Sequence, residues 1–299
     1  MGNASAFTGN ETRLLCSFLG RARQTCDGYE KALDAVLAEE GDVTELLFAL
    51  NRLITFTFNE GTEVHEACPE FSEYPDGYDE LVGRVGFGPD WMVISFNYDT
   101  LFEQALRRAG VSFLYPGVEF GEPGKERLGA MRVYKPHGSC NWFHVPNDEF
   151  VYGNAKATVP TGTNVTGYSV EGRVPSVNFR AASADWGQMI FERLSRLAPG
   201  DPIMAHYCSD KASTLNHATT IVDGRASCLE DMKAVREAIV VGVCLPAAES
   251  DAALTAILKA LPRGQATNYV NPDPGDAEEA KRYAFKVTCW SFRRWVESL

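Results

Sequence analysis

Two polar breaks interrupt apolar runs in the middle of the chain. Ile94-Ser95-Phe96 runs into Asn97-Tyr98-Asp99-Thr100, and Met131-Arg132-Val133-Tyr134-Lys135 runs into Pro136-His137-Gly138-Ser139. Two more follow later: Gly242-Val243-Cys244 after Ala238–Val241, and Asn271 after Ala266–Val270. These residue types can do chemistry. An Asn carboxamide carries both a donor and an acceptor, enough to hold a sugar hydroxyl or a water. A His near neutral pH can take a proton from either. Glycines let the backbone approach a phosphate, and helix N-termini favour negative charge. Ligands of open parallel sheets gather at the carboxyl ends of the strands, where all four breaks lie.

Each residue also has a plainer reading. Asp99 can cap a helix that starts at Thr100. Asn97 can close an Asx turn, and Gly242 and Asn271 are turn formers. His137 can be a loop histidine bonded to a carbonyl, and Cys244 a small buried hydrophobe.

The elements that position these residues follow from periodicity. Thr12–Arg23, Tyr29–Ala38 and Val43–Ile54 repeat apolar residues at helical spacing, with Gly28 and Gly41 between them. Glu60–Asp90 reads as turn-rich. Its Gly83-x-x-Gly86-x-Gly88 cluster precedes a strand, whereas a dinucleotide fingerprint follows one, so it reads as a loop. Trp91–Phe96 is a short apolar run expected of a strand buried on both faces, and Leu101–Ala109 an amphipathic helix stopped by Gly110. Val111–Leu114, Met131–Lys135, Ala238–Leu245 and Ala266–Val270 are further strand candidates. Trp186–Leu197, Leu229–Glu237 and Asp251–Leu261 read as helices, and Asn271–Gly275 as a turn. Short buried strands alternating with helices predict an α/β fold, a Rossmann-like parallel sheet flanked by helices with a helical N-terminal portion. One domain over 1–299 is expected, mainly helical over 1–85, with the core over 86–299 and a loop-rich insertion at about 146–200.

Composition excludes several classes. The chain has 299 residues, 45% hydrophobic and 23% charged, which is ordinary globular usage and not that of a disordered chain, collagen or coiled coil. Forty acidic against 28 basic residues give a formal charge of −12, and no Lys/Arg run supplies a basic patch, so no direct nucleic-acid contact is expected. The longest apolar stretch, Ala238–Leu245, is far short of a bilayer span, and no export signal precedes Arg13. Ala6 stands where an N-myristoylation signal wants Ser or Thr. The eight cysteines form no C-x-x-C pair, so no metal is expected, and they read as reduced and buried in a cytoplasmic protein. His65, His144, His206 and His217 lack metal-ligand spacing, and Trp290 and Trp295 suit helical packing or an oligomer contact.

The run Ile94–Leu101 followed by Tyr134–Trp142 resembles the sirtuin-like (silent-information-regulator type) domain, and most nearly its branch of bacterial antiphage-defence NAD hydrolases. Members carry a strand ending in N-Y-D, then one ending in H-G-S. Later come a G-x-S turn, an Asp in the next helix and a strand ending in Asn, matched here by Gly242-Val243-Cys244, Asp251 and Val270-Asn271. The resemblance implies binding of NAD as substrate and cleavage of its nicotinamide–ribose bond. It assigns Asn97 to positioning of ribose and water, His137 to general base and Asp99 to pocket organisation. Ser95, Gly138, Gly242, Cys244 and Asn271 would bind the dinucleotide. Members also open with a Gly-Ala-Gly-x-Ser loop that cradles the pyrophosphate, which Met1–Gly9 follows only loosely, and Cys244 replaces the usual Ser. The paired-cysteine zinc module of protein deacetylases is missing from the pattern, which sets NAD hydrolysis ahead of deacetylation. A catalytically degenerate sensor or scaffold that holds NAD or an ADP-ribose derivative is the alternative. Expected partners are a second copy or a partner defence protein.

Overall fold

The computed structural model describes residues 8–24, 28–38, most of 45–54, 77–116, 129–143, 149–152, 155–158, 167–168, 202–204, 219–245 and 251–299. In chain order the helices are α1 (Gly9–Gln24), α2 (Gly28–Ala38), α3 (Tyr78–Val85), α4 (Leu101–Arg108), α5 (Thr219–Met232), α6 (Ala252–Ala260), α7 (Pro274–Arg282) and α8 (Phe292–Glu297). The strands are β1 (Met92–Ile94), β2 (Phe113–Leu114), β3 (Met131–Tyr134), β4 (Gly138–Phe143), β5 (Glu149–Tyr152), β6 (Ala155–Thr158), β7 (Gly167–Tyr168), β8 (Pro202–Met204), β9 (Ala238–Val241), β10 (Gly264–Val270) and β11 (Phe285–Thr288). The chain divides into two compact units, Met1–Val64 with His137–Ala218 and His65–Pro136 with Thr219–Leu299.

In the first unit, Leu15 and Phe18 of α1 pack with Leu33 and Val36 of α2 and with Leu46, Ala49 and Leu50. These are the i, i+3, i+4 positions that the helical periodicity selects. Strand β4 pairs antiparallel with β7 and β8, and β5 pairs antiparallel with β6.

The second unit carries the α/β architecture. Its two three-stranded sheets, ordered β1-β3-β2 and β9-β10-β11, are parallel throughout and flanked by helices, a Rossmann-like arrangement. One buried cluster joins Val240, Leu245, Leu254, Leu258, Tyr269, Ala280 and Phe285, and a second joins Tyr134, Cys228, Met232 and Ile257. Phe96, just past β1, and Leu261, just past α6, pack against both. Phe96 and Val243 thus rest on one cluster, so the segments that leave the carboxyl ends of β1 and β9 share a floor.

Several expectations change here. Strand β1, read as buried on both faces, is half-buried along its length, and Ile239 in β9 is 42% exposed. Each strand ends its sheet's order, so among the described residues one flank has no paired strand. The helix expected at Leu229–Glu237 is α5, which starts ten residues earlier by the numbering of its bounds and stops at Met232. Its buried positions Ile221, Cys228 and Met232 follow helical spacing, and Lys233, Ala234 and Val235 then bond three residues back and tighten the chain out of the helix. The glycine cluster read as a loop closes α3, with Gly83 inside the helix and Gly86 and Gly88 past its end. Gly86 adopts φ 67° and its N–H bonds the Val82 carbonyl, a left-handed helix stop. The expected turn Asn271–Gly275 is the start of α7, with Asp273 as cap and Pro274 in its first turn. Strand β4 begins where the second polar break was read, and the helix expected at Trp186–Leu197 lies outside the described residues.

Candidate functional site

The carboxyl end of β1 is built by a few local bonds. The Ser95 N–H donates to the Tyr134 carbonyl at 2.9 Å, extending the β1–β3 ladder by one residue. Asn97 then stands exposed, Tyr98 is buried and Asp99 is half-buried. Asp99 Oδ1 accepts from the Leu101 N–H at 3.1 Å, so this carboxylate covers an orphan donor at the start of α4. The buried Thr100 hydroxyl accepts from Gln104 Nε2 at 3.0 Å one turn on.

Beneath this turn lies a buried ion pair. Lys135 Nζ and Glu103 Oε1 are 2.9 Å apart, with side chains 0% and 4% exposed. Lys135 Nζ also donates to the backbone carbonyl of Asp99, and the Tyr115 hydroxyl donates to Glu103 Oε1 at 3.2 Å. One cation therefore ties three things: the Asn97–Asp99 turn, helix α4, and the end of β3. Burial of two charges is tolerated only with such pairing and extra hydrogen bonds.

At β9 and β10, Gly242 adopts φ 65°, is exposed, and has none of the described residues within 4 Å of where a Cβ would stand. Its backbone therefore lies open to a close approach from outside. Cys244 is exposed and free, not the buried hydrophobe expected of it; Cys16 and Cys289 are also exposed, and only Cys228 of the described free cysteines is buried. Asn271 is buried at 6% exposure. Its Nδ2 faces the Val243 carbonyl at 3.1 Å, the Tyr269 hydroxyl at 3.0 Å and Asp276 Oδ2 at 3.0 Å, while its Oδ1 accepts from the Asp273 N–H at 2.9 Å. Asp276 Oδ1 in turn accepts from the Leu245 N–H at 3.1 Å. Asn271 thus knots the ends of β9 and β10 to the start of α7. Burial, with the Asp276 charge adding to it, pushes the Tyr269 phenol well above its usual value, although the bond from Asn271 works the other way.

Helix α5 crosses the end of β3. Arg132 bonds Asp231 at 2.7 Å, and the Tyr134 hydroxyl donates to the same carboxylate. Burial, then this bond and charge, hold the Tyr134 phenol protonated far up the alkaline range. Burial first, and the Asp231 charge second, push the Cys228 thiol up to about 12, so it is not a nucleophile at neutral pH. One turn earlier, Arg225 Nε donates to the Pro136 carbonyl at 2.9 Å. Asp251, the cap of α6 through its bond from the Leu254 N–H at 3.0 Å, is near enough to favour the charged guanidinium, which burial opposes more strongly.

His137, directly after Pro136, and Gly138 begin the second segment of the first unit. His137 is buried at 5% exposure, Gly138 turns with φ 81°, and Ser139 is fully buried. Of the predicted site residues, the second unit holds Ser95, Asn97, Asp99, Gly242, Cys244 and Asn271, each at a strand's carboxyl end. Residue types alone passed over Glu103, Lys135 and Arg225. Lys135 had a signal, a charge that closes an apolar strand directly before Pro-His. Among the described residues no group of three or more His, Cys, Asp or Glu is placed to hold a metal, and no helix is long and apolar enough to cross a membrane. The four histidines judged unfit as ligands lie outside the described residues.

Residues 92–161 match the family model of the SIR2-like domain. The match opens on the first residue of β1 and contains both the Asn97-Tyr98-Asp99 and the His137-Gly138-Ser139 motifs. The chain is sirtuin-like over this stretch, which points to an NAD-related function. No curated protein matches the chain.

Proposed function

From the SIR2-like domain that this chain carries we infer that it binds NAD and hydrolyses it to nicotinamide and ADP-ribose. The observation that carries the reading is the single family match that spans both polar motifs. The chemistry suits their residues. The bond from ribose C1′ to the nicotinamide nitrogen breaks with its electron pair leaving on nicotinamide, through an oxocarbenium-like state. Water supplies the oxygen that bonds C1′, and its proton passes to a base. Asn97, exposed at the end of β1, would hold a ribose hydroxyl or that water. His137 would take the proton, and Asp99 would keep the turn in place through its bond to the start of α4. Ser95, Gly138, Gly242, Cys244 and Asn271 would line the dinucleotide, with the open backbone of Gly242 best suited to close contact. The biological setting proposed is depletion of NAD by an antiphage effector acting as a homo-oligomer or with a partner defence protein.

A second reading, a sensor or scaffold that binds NAD or ADP-ribose without turnover, is favoured by one observation. The side chain assigned as base is buried, as a structural histidine would be. Nicotinamide release by the purified protein, beside Asn97→Ala and His137→Ala, separates the readings. Hydrolysis predicts release that falls by about 10²–10⁴-fold without His137. A thermal shift with ADP-ribose and no release supports the sensor. Folded protein that neither releases nicotinamide nor is stabilised by NAD overturns both.

A further inference from the structure

A dinucleotide brings two phosphate charges to a chain whose own formal charge is −12. A cation near the strand ends would meet that charge with a charge-assisted hydrogen bond. The cations on β3, just past it and on the helix against it differ in what they already hold. Lys135 is fully buried and neutralised by Glu103. Arg132 is neutralised by Asp231. Arg225 spends one N–H, on Nε, on a neutral acceptor, the Pro136 carbonyl at 2.9 Å. Its four remaining N–H groups have no acceptor among the described residues.

Two further features make this guanidinium suited to an anion. It is half-buried, so part of its hydration is already lost and a charged hydrogen bond to it is stronger than at an open surface. The nearby carboxylate, Asp251, caps the first turn of α6 by accepting from the Leu254 N–H, and its charge favours the charged guanidinium without an ion pair at bonding distance to it among the described residues. The bond on Nε also fixes the plane of the fork, which leaves the two terminal nitrogens for the paired contact that guanidinium makes with phosphate.

We propose that Arg225 is the anion-binding residue of this chain's nucleotide site and takes the diphosphate of NAD through its terminal nitrogens. The inference rests on the NAD reading above and adds the group that meets the dinucleotide's charge.

The test is binding by the full chain, wild type beside Arg225→Gln and Arg225→Lys, with three probes: ADP-ribose, adenosine and inorganic pyrophosphate. The Gln variant keeps an N–H able to reach the Pro136 carbonyl and removes the charge. The Lys variant keeps the charge and removes the fork. The expected result is that Arg225→Gln loses roughly ten- to a hundredfold in affinity for ADP-ribose and leaves adenosine unchanged. Arg225→Lys is expected to fall between the two. Unchanged ADP-ribose binding by Arg225→Gln overturns the proposal. Equal loss for ADP-ribose and adenosine also overturns it, since that marks general damage to the pocket. Pyrophosphate separates this failure from that of the NAD reading. If wild type binds pyrophosphate through Arg225 but neither ADP-ribose nor adenosine, the anion site stands and the dinucleotide reading falls. Binding of none of the three overturns both.

Discussion

Replacing Lys135 by Met tests the buried ion pair as the element that holds the Asn97–Asp99 turn and α4 to the end of β3. The two side chains are 0% and 4% exposed, so water cannot solvate whichever charge is left behind. Without the ammonium, the Glu103 carboxylate keeps only the Tyr115 hydroxyl of its two described donors, at 3.2 Å. Loss of one partner from a buried pair costs about 3–5 kcal/mol. Glu103→Met alone strands the ammonium and should cost a similar amount. Independent sites would put the double variant about 6–10 kcal/mol down, comparable with the whole stability of many domains. Coupled charges put it only about 1–3 kcal/mol down, the cost of removing one bond each from the Asp99 carbonyl and the Tyr115 hydroxyl. Urea unfolding of wild type, both single variants and the double variant measures this, with the slope checked for constancy. A loss under about 1 kcal/mol in Lys135→Met, or a double variant as weak as the summed singles, refutes the reasoning.

Three other expectations follow from the same geometry. Tyr134 and Tyr269 both have raised folded-state pKa values against the usual 10.0, so they stabilise the fold below that pH. As pH rises further the unfolded chain loses these protons first, and stability must fall; Tyr134→Phe should flatten part of that fall in an alkaline denaturation series. Thiol labelling read by peptide mass should modify Cys16, Cys244 and Cys289 in the native protein and Cys228 only after unfolding, and early labelling of Cys228 contradicts its burial. Asn271→Ala strips partners from the Asp273 N–H and Asp276 Oδ2 and should lower unfolding stability by about 1–3 kcal/mol; a neutral result would show that the knot is not needed.

Much of this was legible in the residues. The strand–turn–helix at Trp91–Gly110 announces itself by an apolar run, a polar break and an amphipathic repeat, and the structure places β1 and α4 there. The motif order is equally readable, because polar residues gather where strands end. Partner choice is not. Glu103 sits beside Phe102 on α4, and nothing in helical spacing says that a Lys more than thirty residues away will neutralise it. Exposure of Cys244 and Ile239 was also hidden, since apolar flanks look the same on an edge strand and on a central one. The C-terminal elements were missed for another reason. Asn271-Pro272-Asp273-Pro274-Gly275 has the composition of a turn, yet Asp273 and Pro274 are also the residues that begin a helix.

Lys135 grips residue 99 by its backbone carbonyl and not by its side chain. Such an anchor is indifferent to which amino acid stands there. Mutational drift at position 99 can therefore rewrite the chemistry offered at the mouth of β1 without moving the main chain that offers it. An Asn there would still present an oxygen to the Leu101 N–H, so Asp99→Asn isolates the carboxylate's charge from its architecture. The scaffold separates what is held from what is displayed, and that separation lets a single loop be retuned by single substitutions.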